Sequence, residues 1–379
     1  MRRVVPHADT TVCSRYVFAF ATGHVGTHSF DSAASYQSAA APLSSVAFSF
    51  EKGGLTPSEY ANLTVASEAA HVREQYLPLL MATGGPWSRN ITTCVDMSNP
   101  VQYFIEGLLH VLRPVASIAL VRIRRPVMEV ARSYASTSTD TKLTPGFWTP
   151  SPEANPARVQ LPLPRPAWKV LVPFQQALWV ADEAEARWQR LEGRLRAEAA
   201  TGEPAVALHS VWWSKEEPNS MGVALREVAS LLRLQVAPAV HDAGSHFQGK
   251  TPSRGMSNET RALEACLFHM YHQLMTTCSA PYYARSFGQR ELPTKPATCR
   301  IPATEGCDAA VNAAAALAPA TNPWRAINEH VEHKRERIAE QTWHQIIGGL
   351  SVPVVAFSLY GCARALKHRK YEKVSRDET

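Results

Sequence analysis

Residues 16–30 read YVFAFATGHVGTHSF, from Tyr16 to Phe30, and their order decides the fold. Tyr16 to Ala21 is an apolar run of strand length, rich in residues that suit a strand buried on both faces. The chain then turns at Thr22-Gly23 and reaches Gly26-Thr27-His28-Ser29, after which it is rich in Ala and Ser and is expected to be helical. Strand, glycine turn with hydroxyls, helix start: this is the build of an anion cradle, because the backbone N–H groups of turn and helix N-terminus converge on one point. Such a turn also occurs with no ligand. The loop is not a Walker A loop, since Thr27 follows Gly26 where that signature requires lysine.

On either side of this stretch, strands and helices alternate. A helix is expected over Pro57–Leu80. Ile91 to Val95 reads as a short strand ending at Asp96-Met97-Ser98, and Pro100 opens an amphipathic helix with Phe104, Leu108, Val111 and Leu112 on one side. Val115 to Val121 is a second buried strand, running into Arg122-Ile123-Arg124-Arg125-Pro126 and a helix over Val127–Ala135. Pro173 to Ala199 is a long helix with Phe174, Leu178, Ala181, Trp188, Leu191 and Leu195 at helical spacing. Ala205 to Trp212 reads as a third strand, and two further helices carry Leu225, Val228, Leu231 and Leu232, then Leu263, Leu267, Met270 and Leu274. Residues 280–325 read as loop-rich, with an alanine tract at 313–316. The alternation predicts an α/β, three-layer domain of P-loop type, with a central parallel sheet flanked by helices.

A second anion signal lies in LVRIRRPVMEVARSY, Leu120 to Tyr134. The strand delivers Arg125, whose planar fork of donors suits phosphate, and Ser133 adds a short hydroxyl eight residues on. Between the two signals, Asp96 places a carboxylate at a strand end. Open α/β sheets bind ligands at the carboxyl ends of their strands, so the glycine turn, Asp96 and Arg125 are expected to share one sheet edge. Bland readings stand beside these. Asp96 would serve equally as a helix cap, and Arg122 and Arg124 read as surface charges. Trp179, Trp188, Trp212 and Trp213 read as core rather than as an acceptor platform, His28 either faces the site or is structural, and His110 reads as solvated or packed. Lys250 and Arg254 either close over a ligand or sit in a solvated loop.

Composition bounds the rest. The 379 residues are 45% hydrophobic, enough for a substantial core, and the net charge of +6 suits an anionic ligand. No nucleic-acid partner is expected. The seven cysteines show neither a CxxC nor a Cys/His zinc spacing, so no metal site is expected. Cys266 with Cys278, and Cys299 with Cys307, are candidate disulfides in a lumenal domain; free buried thiols are the alternative. Asn62, Asn90 and Asn258 head glycosylation sequons.

The expected layout is a leader at 1–14, one domain at 15–300 and a linker and helical stalk at 301–344. Residues 137–168, with seven prolines, form a lid or an insertion within that domain. A transmembrane helix at 345–366 and a basic tail at 367–379 follow. Gln345 to Ala363 is an uncharged run near the length that spans a bilayer, followed by Arg364, Lys367, Arg369 and Lys370. A buried core helix is the alternative. Met1-Arg2-Arg3 leads into no apolar signal region.

With these motifs in order, the chain resembles the sulfotransferases that use 3′-phosphoadenosine 5′-phosphosulfate (PAPS), over roughly residues 15–135. The family's 5′-phosphosulfate loop, Lys/Arg-x-Gly-Thr-Thr, is here His24-Val25-Gly26-Thr27-His28. Its 3′-phosphate motif is matched by Arg125, Glu129-Val130-Ala131 and Ser133, and its Glu-x-Ser by Asp96-Met97-Ser98. The resemblance implies that Gly23, His24, Val25, Gly26, Thr27, His28 and Ser29 hold the 5′-phosphosulfate and that Arg125 and Ser133 hold the 3′-phosphate. It implies Asp96 as general base towards a hydroxyl-bearing (or amine) acceptor on a carbohydrate, lipid or small molecule. His24 stands where the family has lysine or arginine. Either a protonated His24 supplies that charge, or Lys52, Lys250 or Arg254 reaches in, or activity is weak or absent. The family's setting and the basic flank favour a lumenal Golgi or other endomembrane domain; the N-terminus fits a tail-anchored protein facing the cytosol. The alternative functions are a non-catalytic nucleotide- or anion-binding member of the fold acting as a membrane interaction protein, and, after it, a P-loop NTPase or kinase.

Overall fold

The computed structural model of the protein describes residues 13–22, 46–49, 63–82, 93–97, 99–137, 159–217, 219–232, 258–297, 299, 301 and 304–317. All of these fall within the first of two compact units, Met1–Ala320. Five strands form one sheet: β1 (Arg15–Phe20), β2 (Val46–Ser49), β3 (Thr93–Asp96), β4 (Ser117–Arg124) and β5 (Ala207–Trp212). Their order is β2-β3-β1-β4-β5 and every pairing is parallel. The α/β class and the central parallel sheet are therefore as the alternation predicts. β2 is a strand that the sequence reading did not single out.

β1 is central because its residues suit burial on both faces. Tyr16, Phe18 and Phe20 are buried on one side and Val17 and Ala19 on the other. Neighbouring registers align the carboxyl ends: Phe18 pairs with Asp96 and with Leu120, and Phe20 pairs with Arg122. Helix α1 (Val65–His71), a π-helical turn (Val72–Tyr76) and α2 (Leu77–Ala82) follow one another without a break. Thr64 caps α1, its hydroxyl accepting from the Ser67 N–H. A short 3₁₀ turn (Asn99–Tyr103) precedes α3 (Ile105–Leu112), so the helix expected from Pro100 starts later and in two pieces.

Tyr16, Phe18 and Phe20 pack against Tyr76, Phe104 and Leu108 from this side, and against Trp188 and Leu191. Gly107 is what lets α3 approach α1. A Cβ there would lie 2.6 Å from the Glu68 Cβ, and the Gly107 N–H donates to the buried Glu68 carboxylate at 2.9 Å.

After β4 come α4 (Val127–Thr137), α5 (Arg165–Val170) and α6 (Pro173–Ala200). After β5 come α7 (Ser220–Leu232), α8 (Asn258–Cys278), α9 (Ala280–Phe287) and α10 (Cys307–Leu317). α9 and α10 correct the expectation of loops over 280–325. The alanine tract lies in α10, where alanine's high helix propensity applies. The C-terminal part of the 137–168 lid or insertion packs on the domain. Val159, Leu161 and Leu163 are buried, and the Glu183 carboxylate accepts the N–H groups of Gln160 and Leu161. The remainder, 138–158, lies outside the described residues.

The disulfides are Cys13–Cys94, Cys266–Cys299 and Cys278–Cys307. Neither expected pair forms. Cys266 and Cys278 both lie on α8, and their separation along it, about 18 Å by helical rise, exceeds any disulfide's reach. Each instead bonds to a segment that folds back on that helix. Among the described residues no helix is long and apolar enough to cross a membrane, and the run at 345–363 lies outside them.

Candidate anion-binding site

Strand order determines where a crevice opens. The chain leaves β1 towards β2 on one side of the sheet and leaves β4 towards β5 on the other, so the connections diverge at the β1/β4 pair. A cavity of about 460 Å³ lies there, within the range of small-molecule sites. Phe20, Ala21 and Thr22 line it from the end of β1, and Arg122 to Pro126 from the end of β4. α6 supplies Asp182 and Glu185, β5 supplies Trp212, and Phe287 and Arg290 complete the wall. Thr22, from which the glycine loop continues, is therefore part of the wall. Gln102 fixes that strand end by donating Nε2–H to the Ala21 carbonyl at 2.7 Å.

Arg125 is where the sequence reading expects it, at the end of β4, and it borders the cavity. Its guanidinium lies 4.6 Å over the Trp213 ring, and its Nε donates to Glu129 Oε2 at 2.7 Å. Burial lowers the Arg125 pKa, with Glu129 opposing. Glu129 also accepts from the Ser214 hydroxyl and from the Lys215 N–H. Burial alone would raise its pKa, but these hydrogen bonds and the Arg125 charge hold the carboxyl below its ordinary value. Lys215 is pushed down to about 8, by burial and then by the charges of Arg125 and Arg132. Cations thus crowd this corner of the molecule.

Ser133 does not border the cavity; it sits in α4, half-buried. Asp96 does not border it either. Its side chain is fully buried, and its Oδ2 accepts the Tyr76 hydroxyl at 2.7 Å. In the strand register it is level with Leu120, about 13 Å short of Arg124 at ~3.3 Å per residue. The loop residues Gly23, His24, Val25, Gly26, Thr27, His28 and Ser29 lie outside the described residues, as do Lys52, Lys250 and Arg254. The sheet thus aligns the ends of β1, β3 and β4 on one edge and brings Thr22 and Arg125 to one cavity, while Asp96 is buried outside its wall.

Several residues of the wall were missed or read as bland. Arg122 pairs with Glu185 and lies 5.7 Å from the centre of the Trp188 ring. Burial, then the neighbouring Arg124, pushes its pKa down to about 10. Trp212, expected in the core, is 40% exposed. Asp182 is buried, and its Oδ2 accepts from Arg290 Nη1 at 2.6 Å and from the Tyr271 hydroxyl at 2.9 Å. Its Oδ1 has no hydrogen-bond partner among the described residues. Burial opposes the charge of Arg290, but the Asp182 carboxylate outweighs it and holds the Arg290 pKa above its usual value.

A sequence signal for Asp182 existed: it adjoins Ala181 and Leu178 on the apolar stripe of α6, where an unpaired acid would be costly. Among the described residues no cluster of His, Cys, Asp or Glu is arranged to hold a metal ion.

Neither a protein-family model, nor a curated protein, nor a solved structure matches the chain.

Proposed function

We propose that the protein is a sulfotransferase that takes PAPS into the β1/β4 cavity and passes its sulfuryl group to a hydroxyl (or amine). The acceptor class is a carbohydrate, a lipid or a small molecule. The observation that supports this most is Arg125. It directly follows the strand next to the one that feeds the glycine loop, and it lines the same cavity as the ends of both strands. Thr22, the last described residue before the glycine loop, and Arg125, about a hundred residues on, thereby line one space. In this reading the 23–29 loop takes the 5′-phosphosulfate, with His24 at the leaving oxygen, and Arg125 takes the 3′-phosphate. Ser133 would act from outside the cavity wall.

Transfer forms the bond from acceptor oxygen to sulfur as the bond from sulfur to the 5′-phosphate oxygen breaks; the phosphate keeps the electron pair. Charge then grows on the phosphate side, so fixed cations favour the transition state. The acceptor's proton needs a base within reach. Of the carboxylates described, Asp182 lines the cavity with one oxygen uncommitted, whereas Asp96 is covered by Tyr76. Three disulfides support an oxidising, lumenal setting for the domain, with the 345–363 run as its membrane anchor.

A second reading follows from the burial of Asp96: the protein binds an anionic nucleotide without turning it over. Calorimetric titration with 3′,5′-adenosine bisphosphate against ADP tests the shared premise. Preference for the 3′,5′-bisphosphate is expected; equal or better binding of ADP removes PAPS from consideration.

A further inference from the structure

The arginines around the cavity differ in how much of their charge is already answered. Four of them line it, Arg122, Arg124, Arg125 and Arg290. Arg122 is paired with Glu185, Arg125 with Glu129 and Arg290 with Asp182. Each of these pairs is drawn from the protein's own fold, and each carboxylate would compete with an incoming anion for its arginine. Arg124 is different. Its side chain has no ion pair or hydrogen bond among the described residues, and it is exposed. Its backbone is fixed nonetheless, since it ends β4 and its carbonyl accepts the Trp213 N–H at 3.1 Å. The side chain therefore springs from a fixed point on the rim with no ion-pair partner among the described residues. The exposed Trp212 is its direct partner across the β4/β5 register and lines the same cavity.

We propose that Arg124 is the principal anion-anchoring residue of this cavity, taking a phosphate or sulfate group of the ligand. Arg122 and Arg290 shape and stiffen the wall through their internal pairs, and Arg125, held by Glu129, makes the weaker contact with the 3′-phosphate. The inference rests on the reading of the cavity as a nucleotide site, and it moves the main electrostatic contact from Arg125 to its neighbour. The chemistry favours this division. A cation with an answered charge gains from a new anion only the excess over what it gives up from the old one, whereas Arg124 gives up only water.

Full-length protein titrated with 3′,5′-adenosine bisphosphate and with ADP, at low and at high salt, tests it. Arg124→Ala is expected to weaken whichever nucleotide binds by about tenfold and to reduce the salt dependence of binding. Arg124→Lys should recover part of the loss, because charge persists while the planar fork does not. Arg226→Ala, on the exposed face of α7, should bind as the wild type does. The proposal is overturned if Arg124→Ala binds both nucleotides as tightly as the wild type, or if neither nucleotide binds the wild type at low salt. If ADP binds best and Arg124→Ala weakens it, the PAPS reading is lost and Arg124 keeps its role.

Discussion

Tyr76 donates its hydroxyl to Oδ2 of Asp96 at 2.7 Å, and neither side chain is exposed. The π-helical turn ends on Tyr76, and the ring lies edge-on to Phe104 at 4.8 Å. The pair is therefore part of the layer that covers one face of the sheet. Tyr76→Phe removes a donor from a buried carboxylate and is expected to destabilise the fold by about 1–3 kcal/mol. Urea denaturation measures this. A change of only a few tenths would show that water reaches Asp96.

Glu129 makes stability and anion binding oppose one another. Its folded pKa lies below the ordinary 4.5 because of Ser214, Lys215 and Arg125, despite burial. Such a group contributes stability that is fully present above its unfolded pKa and is lost as pH falls through the folded value. Glu129→Gln should therefore narrow the stability gap between pH 7 and acid. It also removes the counter-charge of Arg125, so affinity for 3′,5′-adenosine bisphosphate should rise. Thermal melts from pH 7 to 3 and calorimetry report the two effects separately.

Lys215 gives the opposite end of the pH range. With a pKa near 8 against an ordinary 10.5, the folded state sheds this proton before the unfolded state does. Between those values the unfolded chain holds more protons, so the Lys215 contribution to stability rises with pH. Lys215→Met should lack that rise. Denaturation curves at pH 8 and pH 10 for both proteins compare the slopes; identical slopes would refute the assignment.

Tyr16–Ala21 showed the central strand because period and composition agree where a strand is covered on both faces. Arg125 was legible for a related reason: a strand delivering a cation before a proline-started helix is a local pattern. Asp96 was legible as a strand-end acid, but its burial was not, because Tyr76 reaches it from a helix in another part of the chain. Asp182 and Arg290 meet across 108 residues, a separation no local pattern encodes. Trp212 read as core because a large aromatic is usually buried, yet it ends the strand at the cavity rim. Short β2 has too few residues for a periodic signal.

The cysteines make the same point with a measurable outcome. Pairing by proximity in sequence fails on α8, and pairing by topology gives Cys266–Cys299 and Cys278–Cys307, across 33 and 29 residues. Loops of that size suggest roughly 3–4 kcal/mol per bridge in the chain-entropy account. Non-reducing peptide mapping should recover these pairs, and reduction should lower the melting temperature by well over 5 °C. Free thiols at all four positions would contradict the arrangement and weaken the lumenal reading with it.

The choice of base separates Asp182 from Asp96. Asp182→Asn keeps the shape of the wall but cannot accept a proton. If Asp182 is the base, transfer from PAPS to a phenolic probe such as 4-nitrophenol should fall by about 10²–10⁴. Affinity for 3′,5′-adenosine bisphosphate should not fall, since Arg290 loses a competing carboxylate. The substitution also leaves Arg290, sandwiched between Phe268 and Phe287 at 4.9 Å from each ring, without its counter-charge. Buried pairs broken on one side lose about 3–5 kcal/mol, so turnover is compared well below the variant's own melting temperature. The pH profile distinguishes the roles. A base leaves its ionisation in the wild-type rate and takes it away in the variant, whereas a structural residue lowers the rate at every pH alike. Asp96→Asn should show the structural pattern. Should Asp96→Asn instead abolish turnover with stability intact, the buried carboxylate is the base, and the cover over it must open for catalysis.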